Sequence, residues 1–280
     1  MPQPTWRQVN VEFPHWEHAE TTAVKHIAPF LRAAEAVGTI TAWFIIRKRP
    51  CWRVRYTPVA GAPNALDQHL DELVAAGHAT VWAEIIYEPE VHAFGGAQSM
   101  DSAHRFFHRD SRALLEFLGS GAVRHRRETS LMLCSLMMRA AGLDWYEQGD
   151  VWARVAAHRA PPPDSGQHHG DRLHTAVHRL LSVDSQYAVQ PGGPLAEHTD
   201  WGAAYTDAGE DLAHLNGTGQ LRRGLRDVLA HHVIFAWNRL GLSYTAQATL
   251  TAAAKTMTFG SDPSAEKNPA STAGARSRDA

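Results

Sequence analysis

The segment Trp52-Arg53-Val54-Arg55-Tyr56 holds the side chains best suited to chemistry. In an extended strand, alternate side chains share a face. Arg53 and Arg55 would then project together, roughly 6–7 Å apart, with Trp52, Val54 and Tyr56 packed on the other side. Two guanidinium groups at that spacing repel each other unless an anion lies between them. Each can also grip a carboxylate through two parallel hydrogen bonds. The pair is a candidate cradle for a carboxylate or an enolate-like oxygen, and a solvated strand face is the other reading of the same spacing.

Other segments are less specific. Phe94-Gly95-Gly96 lies between a strand pattern and a helix pattern. Glycines there let backbone approach a ligand, and a helix start favours an anion. Neither a dinucleotide glycine fingerprint nor a P-loop is present. His231 and His232 fall in an apolar helical stretch, with His231, Ile234 and Asn238 on one face. A histidine so placed is either a general base or a core residue with one hydrogen bond. His174 and His178 have the spacing of a helical metal pair, with His168 and His169 nearby. No glutamate adjoins His174 and no third ligand is evident, so no metal is expected. Cys51 and Cys134 suggest neither a disulfide framework nor a zinc finger.

The elements that must position these residues are readable from periodicity. Val9, Val11 and Phe13 alternate with Gln8, Asn10 and Glu12, which predicts a half-buried strand over 6–13. A helix is expected over 17–37 with Gly38 as its stop. Strands follow over 39–47 and 52–56, joined by a turn at Lys48-Arg49-Pro50-Cys51. A short helix over 66–76 and a strand over 80–87 complete a β-α-β-β-α-β opening. Helices are then expected over 97–118, 127–141, 145–158, 172–181, 219–240 and 246–257. Residues 160–171 and 191–202 read as loops, and 261–280 as a disordered tail. The fold class is α+β, mainly antiparallel sheet with a helical second half.

Composition limits the function classes. Of the 280 residues 44% are hydrophobic, enough for a large core. The net charge of −2 argues against direct DNA binding. No apolar stretch reaches membrane-spanning length and the first residues do not resemble a signal peptide. The expectation is a soluble cytoplasmic protein, with no membrane partner.

Several segments together resemble one family. Tyr87-Glu88-Pro89-Glu90, Phe94-Gly95-Gly96, His104, Phe106 or Phe107, and Asp110-Ser111-Arg112 look like the signature of the thiopeptide-type bacteriocin biosynthesis domain. That domain is similar to the C-terminal, glutamate-eliminating part of lantibiotic (lanthipeptide) dehydratases. The likeness extends to Trp43–Tyr56, Ala141–Val155 and His231–Leu242, where Asn238-Arg239-Leu240 matches best. It implies a peptide-tailoring domain over residues 1–260. A separate tRNA-dependent subunit would load glutamate onto Ser or Thr of a precursor peptide, leader and core. This chain would then eliminate it, leaving dehydroalanine or dehydrobutyrine without any cofactor. The resemblance puts catalysis on Arg53, Arg55, His231 and His232, and substrate binding on Arg47, Phe94, Gly95, Gly96, Asn238 and Arg239.

Two departures from the nisin-type pattern stand out. Ala93, beside His92, occupies the place of an arginine before the aromatic-Gly-Gly element. Ile234 occupies the place of a helical histidine, with His231 one turn upstream. The same fold serves thiopeptide pyridine synthases, which perform a formal aza-[4+2] cycloaddition with release of the leader peptide. That activity is the alternative reading. A non-catalytic scaffold for the precursor peptide is a further one, although adjacent cations have no use in a scaffold.

Overall fold

The structure is a computed structural model that describes residues 6–62, 64–121, 125–160 and 171–260. The sequence-predicted tail over 261–280, most of the loop over 160–171, and His168 and His169 lie outside the described residues.

Four strands form one antiparallel sheet: β1 (Arg7–Glu12), β2 (Ile40–Lys48), β3 (Cys51–Pro58) and β4 (Val81–Ile85), in the order β2-β3-β1-β4. The opening β-α-β-β-α-β pattern is as the periodicity predicts. β2 and β3 are a hairpin turned at Arg49-Pro50, with Trp43 opposite Tyr56 and Phe44 opposite Arg55. Across β3 and β1, Gln8 faces Arg55 and Asn10 faces Arg53. One face of the sheet therefore carries Val9, Val11, Trp43, Ile45, Trp52, Val54 and Tyr56, all buried. The helical run α1 (Ala19–Thr22) and α2 (Ala28–Ala36) lies over it, followed by α3 (Ala65–Ala75). Trp43 donates its indole N–H to Glu35 of α2. The helix expected over 17–37 is thus present, but with a π turn over Ala23–Ile27. Pro29 explains the irregularity, because it cannot donate a backbone hydrogen bond and its ring crowds the carbonyl one turn back.

The other face carries Gln8, Asn10, Phe44, Ile46, Arg53 and Arg55, and it turns toward the helical half. There α4 (Ala97–Gly119) crosses the outer edge of β2. Its Ser111 hydroxyl receives the Ile45 N–H at 3.2 Å, and the His108 ring lies at 3.1 Å from the Trp43 nitrogen. An otherwise open sheet edge is closed in this way. The remaining helices are α5 (Arg126–Ala140), α6 (Trp145–His158), α7 (Asp171–Leu181), α8 (Ser185–Val189), α9 (Thr199–Gly217), α10 (Leu225–Leu240) and α11 (Tyr244–Phe259). Asp144 caps α6 by accepting from the Glu147 N–H at 2.8 Å, and the Glu147 carboxylate returns the bond.

Three expectations need correction. Helix α9 has no counterpart among the expected elements, and the expected loop over 191–202 already turns helical at Ala196. Gly202 and Gly209 dilute its helical signal, yet they are what the packing requires. A Cβ on Gly209 would collide with the Met137 carbonyl of α5, and one on Gly202 with Val189. The helix expected from Gly219 starts only at Leu225. In between, the Arg222 N–H leaves the helical ladder and bonds to Gly95 O at 2.7 Å.

Candidate functional site

Arg55 sits inside the protein, 7% exposed, on the central strand β3. Its Nε donates to the Gln8 side-chain oxygen at 2.7 Å, and the Gln8 amide donates on to Asn10 at 2.9 Å. The guanidinium lies 4.2 Å from the centre of the Tyr87 ring and 5.3 Å from that of Phe44. Such stacking leaves the terminal nitrogens free for an anion. Burial, with some repulsion from Arg53 and Arg239, lowers its pKa to about 10, so it stays charged at neutral pH. Arg53, two residues along the same face, is half-buried and makes no ion pair or hydrogen bond among the described residues. A buried cation beside an unpaired one is an arrangement that an anion would complete.

Tyr87 lies two residues past the end of β4, and its hydroxyl lies 2.8 Å from Nε2 of His104 on α4. His104 is packed against Trp6 (4.6 Å between ring centres), Phe44 and Phe107. Burial, reinforced by Arg55, lowers the His104 pKa to about 4. Burial also raises that of Tyr87 to about 12. Both groups are neutral near pH 7.

The two histidines of α10 lie elsewhere. His232 is buried among Phe94, Phe106 and Phe107, and neither ring nitrogen has a hydrogen-bond partner among the described residues. Burial, then Arg239, lowers its pKa to about 3, so it is a poor proton acceptor. His231 is half-buried beside His158 and Arg223, and burial and Arg223 lower its pKa. Arg223 Nη1 donates to Ala93 O at 2.9 Å and lies 3.1 Å from His231 Nδ1. An arginine always carries its protons, so Nδ1 accepts and the imidazole proton sits on Nε2. The 3.3 Å approach of Nδ1 to the Asp227 carbonyl then carries no proton. The rings of Phe107 and Phe94 separate this cluster from Arg55. Neither histidine bonds to Arg53 or Arg55 among the described residues.

The expected binding residues are scattered. Arg47 points to the opposite sheet face, pairs with Glu20 at 2.6 Å, and covers Trp52. Arg239 is 0% exposed, paired with the buried Asp110 and stacked on Phe107. Asn238 accepts from Gln247 of α11 at 3.1 Å. Phe94 is wholly buried. Gly95 and Gly96, at φ +85° and +113°, let Leu221 and Arg222 approach that loop. None of these six residues bonds to Arg53 or Arg55 among the described residues, although the Arg239 charge is felt at Arg55. His174 and His178 lie on α7, where His178 packs edge-on against Trp145, and no group of three or more potential ligands is poised for a metal among the described residues. No helix among them is long and apolar enough to cross a membrane.

The partners that sequence reasoning missed are Gln8, Tyr87 and His104 as a unit around Arg55. Gln8 alternates correctly for the arginine face, but its register against Arg55 shows only in the folded sheet.

Among solved structures, the chain resembles the tRNA-dependent lantibiotic dehydratase MibB from Microbispora sp. 107891. The TM-score is 0.60 and the identity 18%, over 92% of this chain and 28% of MibB. The chain thus spans little more than a quarter of that dehydratase. It also resembles TsrL, with TM-score 0.64 and 16% identity over 92% of this chain and 99% of TsrL. TbtD, a pyridine synthase from thiomuracin biosynthesis, gives TM-score 0.59 and 14% identity over 91% of this chain and 97% of TbtD. At these identities the likeness establishes the fold and leaves the reaction open. Among curated proteins, none matches the chain. The sequence matches the family described as lantibiotic biosynthesis dehydratase C-term over residues 6–257. With that match spanning nearly all the described residues, the chain belongs to the lantibiotic dehydratase C-terminal family, which connects it to the biosynthesis of ribosomally made, modified peptides.

Proposed function

We propose that the protein eliminates glutamate from glutamylated Ser or Thr of a precursor peptide. The observation that carries this reading is the arginine pair: Arg55 buried and braced by Gln8 and Tyr87, Arg53 beside it without an ion pair among the described residues. In the reaction a base takes the Cα proton, and the resulting electron pair forms the Cα=Cβ bond. The Cβ–O bond then breaks and glutamate leaves as a carboxylate. Negative charge on the peptide carbonyl oxygen and on the departing glutamate is what two preorganised cations stabilise. A separate tRNA-dependent subunit would supply the glutamylated peptide.

His231 is the proton acceptor of this proposal, on two conditions: the substrate must reach from the arginine pair past the Phe107 and Phe94 rings to His231, and the imidazole must be freed. Its Nδ1 lone pair is engaged by Arg223. An anionic substrate that draws Arg223 aside would free it. His232, buried and without a hydrogen-bond partner among the described residues, supports packing instead.

Cycloaddition by a pyridine synthase is the second reading. It is favoured by the 97% coverage of TbtD and by Ala93 and Ile234 at two positions where the resemblance leads one to expect Arg and His. Incubating the purified chain with a glutamylated peptide and assaying free glutamate tests elimination directly.

A further inference from the structure

Stacking on Arg55 uses the Tyr87 ring but neither its hydroxyl nor His104. A phenylalanine at position 87 would stack on Arg55 as well as tyrosine does. The hydroxyl, and a buried imidazole to meet it at 2.8 Å, add a polar pair that packing alone does not need. Replacing such buried polar groups with apolar ones is often neutral or stabilising, so their presence here points to a task. The location points to the same task. The Tyr87 ring covers the Arg55 guanidinium at 4.2 Å, which keeps the phenol beside the arginine pair. Tyr87 is half-buried, whereas His104 lies behind it under Trp6.

We propose that the Tyr87 hydroxyl, held by His104, is a neutral third donor to the negative oxygen that Arg53 and Arg55 receive. With its proton on Nε2, His104 donates to the Tyr87 oxygen and leaves the phenolic O–H free to turn toward the ligand. The opposite tautomer would consume that O–H internally. Because both groups are neutral, the donor needs no proton transfer to act. Tyr87 would touch the substrate, and His104 is its positioning residue. The assignment rests on the arginine pair being an anion site, and not on which reaction follows.

The test uses the full chain with tyrosines 13C-labelled at Cζ, the Tyr87 signal being assigned with Tyr87→Phe. Adding a glutamylated peptide should move that signal. In turnover, Tyr87→Phe should lower kcat/KM on the order of 10²-fold, as losing one such donor does, without lowering the thermal midpoint. His104→Gln, which still offers an N–H, should keep most of the activity, and His104→Leu should fall to the Tyr87→Phe level. A Tyr87 signal that stays put, or a Tyr87→Phe variant with wild-type kcat/KM, overturns the proposal. If the signal moves but the wild-type protein releases no glutamate, the elimination reading fails and the donor assignment stands.

Discussion

Arg53 and Arg55 are one strand repeat apart, yet they are held differently, and their substitutions should differ accordingly. Arg53 is half-buried and unpaired among the described residues, so Arg53→Ala should leave unfolding by urea nearly unchanged. Arg55 satisfies the buried Gln8, and Arg55→Ala would orphan that oxygen at a cost of about 1–3 kcal/mol. Both should lower turnover by about 10²–10³, the loss typical of one charge-stabilising donor. Wild-type rates in both variants would show that the anion site lies elsewhere. The pairing of these arginines was legible because strand alternation is fixed by backbone geometry. The surroundings of His231 and His232 were not. A helix face is defined only by its neighbours, and here His232, Phe235 and Arg239 turn toward α4 while His231 turns toward α6.

Helix α10 is fixed to α4 by the buried pair of Arg239 and Asp110, with Trp201 of α9 donating to the same carboxylate at 2.7 Å. Three helices meet at one carboxylate. Asp110→Asn should cost about 3–5 kcal/mol, because it leaves the Arg239 charge buried without a partner. A urea midpoint that stays at the wild-type value would contradict this account of the junction. The sequence pointed to Asp110 and Arg239 through the family resemblance, but placed Arg239 at the substrate. Nothing in a linear pattern tells a buried arginine from an exposed one. Element α9 was illegible for a related reason. Gly202 and Gly209 weaken local propensity, and the close approaches to α8 and α5 that call for them are long-range properties. By contrast, the four strands and the start of α6 at Trp145 follow from local periodicity, and these were readable.

On the scale of the whole molecule, the two sealed histidines make stability depend on pH. His104 and His232 have folded pKa values of about 4 and about 3, against about 6.5 in an unfolded chain. Between these limits the unfolded chain binds protons that the folded one refuses. Stability should therefore rise with pH across this window, and be lost as pH falls from about 6.5 toward 4 and then 3. Urea midpoints measured from pH 7 to pH 4 should show this slope, and it should flatten in a His104→Gln variant. A wild-type midpoint independent of pH over that range would mean that these rings reach solvent.

The central claim is that the arginine face serves elimination. Its most direct test is mass spectrometry of a purified sample given two peptides in parallel, one with a glutamylated Ser and one with two dehydroalanines. The account predicts that the first loses its glutamyl group and becomes dehydroalanine, without added metal or nucleotide, while the second is unchanged. A glutamyl ester left intact, with the second peptide closed to a ring and its leader released, would contradict elimination and establish the cycloaddition reading in its place.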